Sequence, residues 1–295
     1  MKLFLAGGTG FIGGHVRQAL LSMGHTIRLL VHKRSGDFEP GVEPCEGDVT
    51  RAETFSASVA GCDATINLVG IIREFSGRGI TFEKLHVETT RNVIEAARRA
   101  GVNRHLQMSA LGARPNATSR YHQSKYRAEE LVRESGLDAT IFRPSIVFGP
   151  ADDFVNKLAC FIRNYPAVPV IGDGKYRLQP ISADDTARCF VMALEMPETI
   201  GRAFDICGPD RLAYNEMLDT IGLVLGRPRI RKLRNPLCLM KLVVPMLQGL
   251  PFFPITKDQM LMLLEENICD GNWRKTFRFE PLGFEEGIRG YLGRE

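Results

Sequence analysis

No C-x-x-C pair occurs in this chain of 295 residues, and its seven cysteines (Cys45, Cys62, Cys160, Cys189, Cys207, Cys238 and Cys269) are scattered. That spacing argues against a thiolate metal site and against a disulfide framework. It fits reduced, mostly buried thiols in a reducing compartment. No cluster of His, Cys, Asp and Glu has ligand spacing, so no metal is expected. No apolar run is long enough for a membrane span. No run of Lys and Arg is interleaved with aromatics, so nucleic acid has no footprint, and a net charge of +4 is mild. Internal repeats and low-complexity segments are absent. The opening MKLFLAGGTG enters a glycine loop at once and leaves no room for a signal peptide, so a cytoplasmic location is expected.

What is present is the composition of an ordinary globular chain, 44% hydrophobic and 24% charged. The first half alternates apolar runs with amphipathic stretches. KLFLAG, TIRLLVH, DATINLVG, RHLQMSA and DATIFRPSIVFG read as strands. FIGGHVRQALLSMG and TFEKLHVETTRNVIEAARRAG read as helices, the second ending at Gly101 with Arg98 and Arg99 in its last turn. Near-continuous apolar strands alternating with helices predict a parallel sheet covered on both faces. After Gly149 the pattern shifts to helix: DFVNKLACFIRNY, SADDTARCFVMALEM, NEMLDTIGLVLG and TKDQMLMLLEEN, with AFDICG as a last strand.

GGTGFIG, residues Gly7, Gly8, Thr9, Gly10, Phe11, Ile12 and Gly13, follows the first strand and opens the first helix. Small residues at this spacing let the backbone approach a pyrophosphate, and the helix N-terminus offers unpaired N–H groups to it. The expected fold is therefore a Rossmann-type, doubly wound parallel α/β sheet with a smaller, mostly helical C-terminal domain. An NAD-specific site usually carries Asp or Glu at the end of the second strand, to hold the ribose 2′-hydroxyl. Here Val31 takes that place, followed by His32, Lys33 and Arg34. Three potentially cationic groups predict NADP(H), with NAD(H) as the alternative. The bland reading of the same residues is a solvated basic loop.

A resemblance can be stated on GGTGFIG, GDVT (47–50), NLVG (67–70), Ser109, Tyr121-His-Gln-Ser-Lys125 and RPSIVFGP. In that order they resemble the extended and atypical short-chain dehydrogenases/reductases, over residues 1 to about 210. INLVGIIRE, MSALGA and SRYHQSKYRAEE are most similar to the branch with the NADPH-binding accessory subunit of respiratory complex I and its free-standing bacterial relatives. The resemblance implies roles. Asp48 and Val49 would lie against the adenine, and Asn67, Val69 and Gly70 along the cofactor path. Ser109 would bond a substrate carbonyl, and Tyr121 would be the general acid/base. Lys125 would hold the nicotinamide ribose and lower the tyrosine's pKa, with Pro144 and Ser145 flanking the nicotinamide. Tyr-x-x-x-Lys on a helix brings the two side chains onto one face. Taken alone the pair is equally a solvated helix surface. His86 stands where the family often has Asn, and Ser109 is followed by Ala110 and Leu111 rather than more serines.

The expected organisation is a dinucleotide-binding core over 1–150, a first substrate-domain segment over 151–175, a return to the core over 176–207, and a C-terminal substrate or interaction domain over 208–295. Within the last part, basic GRPRIRKLRN precedes apolar PLCLMKLVVPMLQGLPFFP. The preferred reading is a buried helix pair closing the cleft. The alternative is peripheral contact of 227–254 with the inner face of a membrane or a membrane-associated respiratory complex. The function expected is an NADP(H)-dependent oxidoreductase with a Ser109-Tyr121-Lys125 site and an unidentified small-molecule substrate. A non-catalytic NADPH-bound subunit associated with complex I is the second reading, and a sugar-nucleotide epimerase or dehydratase a weaker third.

Overall fold

The computed structural model describes residues 1–33, 36–248 and 255–293. The chain divides into two compact units, Met1–Pro144 with Asp184–Ile206, and Ser145–Ala183 with Cys207–Glu295. The return to the first unit thus starts at Asp184, eight residues later than the 176 expected from sequence.

In the first unit, β1 (Lys2–Ala6), α1 (Phe11–Ser22), β2 (Thr26–Val31), β3 (Val42–Glu46) and β4 (Ala64–Asn67) come first. Then follow α2 (Thr89–Ala100), β5 (Arg104–Met108), α3 (Arg120–Glu134) and β6 (Asp138–Pro144). After β7 (Val147–Phe148), α4 (Val155–Asn164), β8 (Val168–Ile171), β9 (Arg177–Leu178) and β10 (Ile181–Ser182), the chain re-enters through α5 (Ala183–Leu194) and β11 (Arg202–Ile206). Seven strands form one parallel sheet in the order β11-β6-β5-β4-β1-β2-β3. β1 is buried from Leu3 to Ala6. Its alternate residues Phe4 and Ala6 cluster with Val93, Ala96 and Ala97 of α2, while Leu3 and Leu5 point to the opposite, equally covered face. The strand order reverses between β1 and β4, which makes the carboxyl ends of those two strands the ligand crevice of an open α/β sheet.

β3 was not legible in the sequence. Its VEPCE carries Pro44, a residue that strands tolerate at an edge, and β3 is the edge strand. The helix expected over 81–101 is present with a local change of pitch: Glu83–Glu88 is wound as a π-helix before α2 begins at Thr89. Gly101 ends α2 in the left-handed region at φ 69°.

The second unit continues with β12 (Leu212–Ala213), α6 (Tyr214–Val224), β13 (Lys232–Asn235), α7 (Leu237–Leu247), α8 (Lys257–Leu264), α9 (Trp273–Phe277) and α10 (Phe284–Leu292). Three two-stranded pairs, β7/β10, β8/β13 and β9/β12, accompany the helices. Phe148, Leu158, Met217, Ile221, Phe284 and Ile288 form its main core. Cys207 and Cys269 are joined as a disulfide with Cα atoms 6.2 Å apart, which corrects the reading of all seven cysteines as reduced. Their separation of 62 residues left no spacing signal. The expected burial of the apolar segment holds for one stripe of α7 only. Val244 is its one buried residue, and Leu237 and Met240 pack beside it, against Ile171 and Met260. Residues 249–254 of that segment lie outside the described residues.

Candidate dinucleotide site

The loop after β1 passes the carboxyl end of β4. Gly7 has φ +81°, and a Cβ there would stand 2.8 Å from the Val69 amide nitrogen. A Cβ on Gly13 would stand 2.1 Å from the Gly7 carbonyl oxygen, and one on Gly8 would meet Leu5 and Leu29 at 2.5 Å. Gly10 differs. Among the described residues a Cβ there would meet only the Gly7 oxygen, at 3.4 Å, and Gly10 itself is exposed. Gly10 is also the N-cap of α1, with no side-chain cap and no acidic residue in the first turn. The first amides of α1 therefore lack a side-chain partner, and the space a side chain would fill lies open beside them. A diphosphate fits this cradle: it accepts those N–H bonds and meets the positive end of the helix dipole. Thr9 is exposed, and Phe11 and Ile12 are half-buried at the start of α1.

At the end of β2, Val31 is buried and no carboxylate takes its place. His32 and Lys33 follow, both exposed. Arg34 lies outside the described residues. Asp48 is half-buried, and its Oδ1 accepts from the Thr50 amide (2.9 Å) and hydroxyl (2.8 Å). Burial pushes this carboxyl up, but the Thr50 bonds and the charges of His32 and Arg51 outweigh it, and the net shift is downward. Val49 is held from behind by Asn92, whose Nδ2 donates to its carbonyl at 3.0 Å. Asn67 is buried under the loop rather than along it. Its Nδ2 donates to Thr90 and Gln107 at 3.2 Å, and its Oδ1 accepts from the Val69 amide at 3.2 Å. Asn67 thus shapes the Val69–Gly70 turn from below.

Lys125 is 3% exposed and reaches that turn. Its Nζ donates to the Val69 carbonyl (3.4 Å) and the Met108 carbonyl (3.3 Å), bridging the ends of β4 and β5. A Cβ on Gly70 would lie 2.8 Å from this nitrogen. Burial lowers the Lys125 pKa to about 8, opposed by Glu129. Tyr121, one turn earlier on α3, is packed edge-on by Phe82, His86 and His122 at centroid distances of 5.8, 5.4 and 5.3 Å. Its hydroxyl has no hydrogen-bond partner among the described residues. Burial raises the Tyr121 pKa to about 12. The protein alone therefore does not lower it as the sequence reading expected.

His86 was noted in the sequence only as a departure; the structure makes it part of the site. Ser124 Oγ donates to the Tyr121 carbonyl at 2.7 Å, so its contact of 2.8 Å with His86 Nδ1 requires Nδ1–H as donor. His86 Nε2 then accepts from the Ile71 amide at 3.1 Å. Burial, reinforced by Lys125, pushes the imidazole down to about 2, so it stays neutral.

Two serines depart from their expected places. Ser109 is buried, and its hydroxyl donates to Glu129 Oε1 at 2.5 Å. Glu129 is clamped by Arg143 (2.7 and 2.6 Å) and by Arg133. It sits eight residues along α3 from Tyr121, about 12 Å at helical rise. Ser109 is thus tied into a buried ionic network, its hydroxyl proton engaged by Glu129. Ser145 likewise donates its hydroxyl to the Gln179 carbonyl. Pro144, which precedes it, is buried at the end of β6 and accepts from the Leu111 amide at 2.9 Å. Among the described residues, no group of three or more His, Cys, Asp or Glu side chains is arranged to hold a metal ion.

The mitochondrial protein named NADH dehydrogenase [ubiquinone] 1 alpha subcomplex subunit 9 from Arabidopsis thaliana is 30% identical over 244 residues, 78% of this chain and 60% of the relative. The chain thus spans about three fifths of the length of that relative. A ceramide reductase from Caulobacter vibrioides is 29% identical over 238 residues, 79% of this chain and 73% of the relative. Among solved structures, a dTDP-glucose 4,6-dehydratase from Streptomyces venezuelae with NAD bound superposes with a TM-score of 0.79 at 20% identity, covering 99% of this chain and 96% of that one. At that identity the likeness is one of fold. Residues 3–207 match the NAD dependent epimerase/dehydratase family, and the chain belongs to it.

Proposed function

We propose that the protein binds a nicotinamide dinucleotide, NADP(H) in preference to NAD(H), and is an oxidoreductase that reduces a carbonyl compound. The observation that carries this reading is the Tyr121 hydroxyl, which has no protein partner among the described residues while Lys125 is fixed one turn away beside the Gly70 turn. When bound, the nicotinamide supplies or accepts hydride. The chain's own residues do the rest. The Gly7–Gly10 loop and the amides of α1 hold the diphosphate. Lys125, charged at pH 7, presents an ammonium to the ribose hydroxyls. Tyr121, protonated up to about 12, donates its proton to the oxygen that becomes an alcohol. A phenol held neutral suits donation, hence the reductive direction. His32 and Lys33, with no carboxylate at Val31, support the 2′-phosphate preference. The Ser109 position supplies no second donor, so turnover is expected to be slow. The name of the Caulobacter vibrioides relative supports a reductase.

The same Ser109 geometry favours a second reading: a dinucleotide-holding subunit that associates with a respiratory complex, as the name of the Arabidopsis thaliana relative suggests. The nucleotide-sugar chemistry named for the structural neighbours is not carried over.

The test is Tyr121→Phe, assayed with NADPH against a panel of aldehydes and ketones. NADPH oxidation should fall by about 100-fold or more while NADPH affinity stays within a few-fold. Undiminished turnover would remove Tyr121 from the chemistry. Absent wild-type turnover, together with a Gly10→Ala defect in association with the respiratory complex, would favour the second reading. NADH binding tighter than NADPH would remove the preference.

A further inference from the structure

We infer that the β13–α7 face of the second unit docks onto an anionic lipid bilayer. α7 has two apolar stripes. Leu237, Met240 and Val244 pack inward against Ile171, Met260 and Leu263. Leu239, Leu242 and Met246, at i, i+3 and i+7, form the other, and they are 49%, 64% and 75% exposed. Leu233 on β13 is 60% exposed. The internal core accounts for the first stripe only.

Charge identifies the occupant. Residues 225–256 contain six Lys and Arg and no Asp or Glu. Lys232 is engaged by Asp219 at 2.6 Å, and Arg227 donates to the Ile162 carbonyl. The side chains of Arg229, Arg231, Arg234 and Lys241 are exposed and make no hydrogen bond or ion pair among the described residues. Arg227, Arg229 and Arg231 also line a recess of about 190 Å³ with Tyr165 and Pro166, and Tyr165 is 56% exposed. Aliphatic side chains, unpaired cations and a flanking tyrosine are the composition of a surface that lies at the lipid headgroup level. α7 has 11 residues, about 16 Å, and cannot span a hydrocarbon core of roughly 30 Å. Among the described residues no helix is long and apolar enough to cross a membrane. The geometry is that of a helix lying along the surface. This inference rests on neither reading of the nucleotide site.

The full chain is sedimented with vesicles of phosphatidylcholine alone and of phosphatidylcholine with phosphatidylglycerol. Expected is co-sedimentation with the anionic vesicles only, reversed by high salt. R231Q/R234Q should weaken partition by about tenfold or more, at roughly fivefold per removed cation. L242E/M246E should abolish it. Arg51→Gln, an exposed change on the first unit, should leave it unaltered. Wild-type protein that ignores anionic vesicles, or face variants that sediment like wild type, would overturn the inference. So would binding to native membranes that is lost when their proteins are digested and absent on pure lipid, which would assign the face to a protein. Should a variant fail to fold, the lipid and salt dependence of the wild type still decides.

Discussion

Gly10, the N-cap of α1, and Gly13, in its first turn, stand three residues apart and do different work. A methyl group at 13 has no room against the Gly7 carbonyl, whereas one at 10 is sterically tolerable in the fold and intrudes only where a diphosphate would lie. Gly13→Ala is expected to cost about 1–3 kcal/mol of stability, the range for overpacking. Gly10→Ala should shift the unfolding midpoint little and weaken dinucleotide binding by about tenfold or more, a change of roughly 1.4 kcal/mol. Thermal melts and nucleotide titrations of the two variants separate packing from binding. The histidines make a second residue-scale prediction. Burial first, with Lys125 next, holds His86 at about 2, and burial holds His105 at about 4, against an ordinary 6.5. Both stay neutral in the fold, while the unfolded chain takes up a proton at each below 6.5. Stability is therefore present above 6.5 and lost as pH falls, by about 1.4 kcal/mol per unit for each fully linked group. The urea midpoint should drop between pH 7 and pH 5, and His86→Asn should make the drop shallower. Lys125, lowered to about 8, acts at the alkaline end: the unfolded chain holds its proton longer, so stability rises between about 8 and 10.5.

At the scale of the element, α3 carries the site. Ser119 is its N-cap, buried, with its Oγ accepting from the His122 amide at 3.2 Å. Ser119→Ala should cost about 1 kcal/mol and fray the turn that aims Tyr121. A lowered melting temperature with a weakened NADPH oxidation rate would show it; an unchanged melt would mean the cap is idle. The helix and the placing of Tyr121 and Lys125 four residues apart on it were legible in the sequence, because that spacing is local; its N-cap at Ser119 was not read. The glycine loop was legible for the same reason. Ser109 was not. Its place at the end of β5 was read correctly, but its hydroxyl goes to Glu129, 20 residues away. Glu129 in turn is fixed by Arg143 from β6. No local pattern reports which of two polar groups a strand-end serine will meet. The π-helical turn at Glu83–Glu88, which brings His86 against Tyr121, is equally invisible to a period of 3.6 residues.

At the scale of the whole molecule, strand–helix alternation foretold the parallel sheet, in which α1, α2 and α3 connect β1 to β2, β4 to β5 and β5 to β6. The second unit was less legible. Its sheet pairs are two to four residues long, and its disulfide joins positions 62 residues apart. Whether α7 is buried depends on partners distant in the chain, not on its own hydrophobicity. In the first unit the Gly7–Gly13 turn follows β1, and Lys125 is braced on the carbonyls of Val69 and Met108, just past β4 and at the end of β5. The most direct measurement is a structure of the protein with NADPH. The account expects the diphosphate on the Gly7–Gly10 loop at the start of α1, the 2′-phosphate beside His32 and Lys33, and the nicotinamide ribose within hydrogen-bond reach of Lys125. A nucleotide found anywhere else, or one whose ribose leaves Lys125 on its carbonyls and Tyr121 untouched, would contradict it.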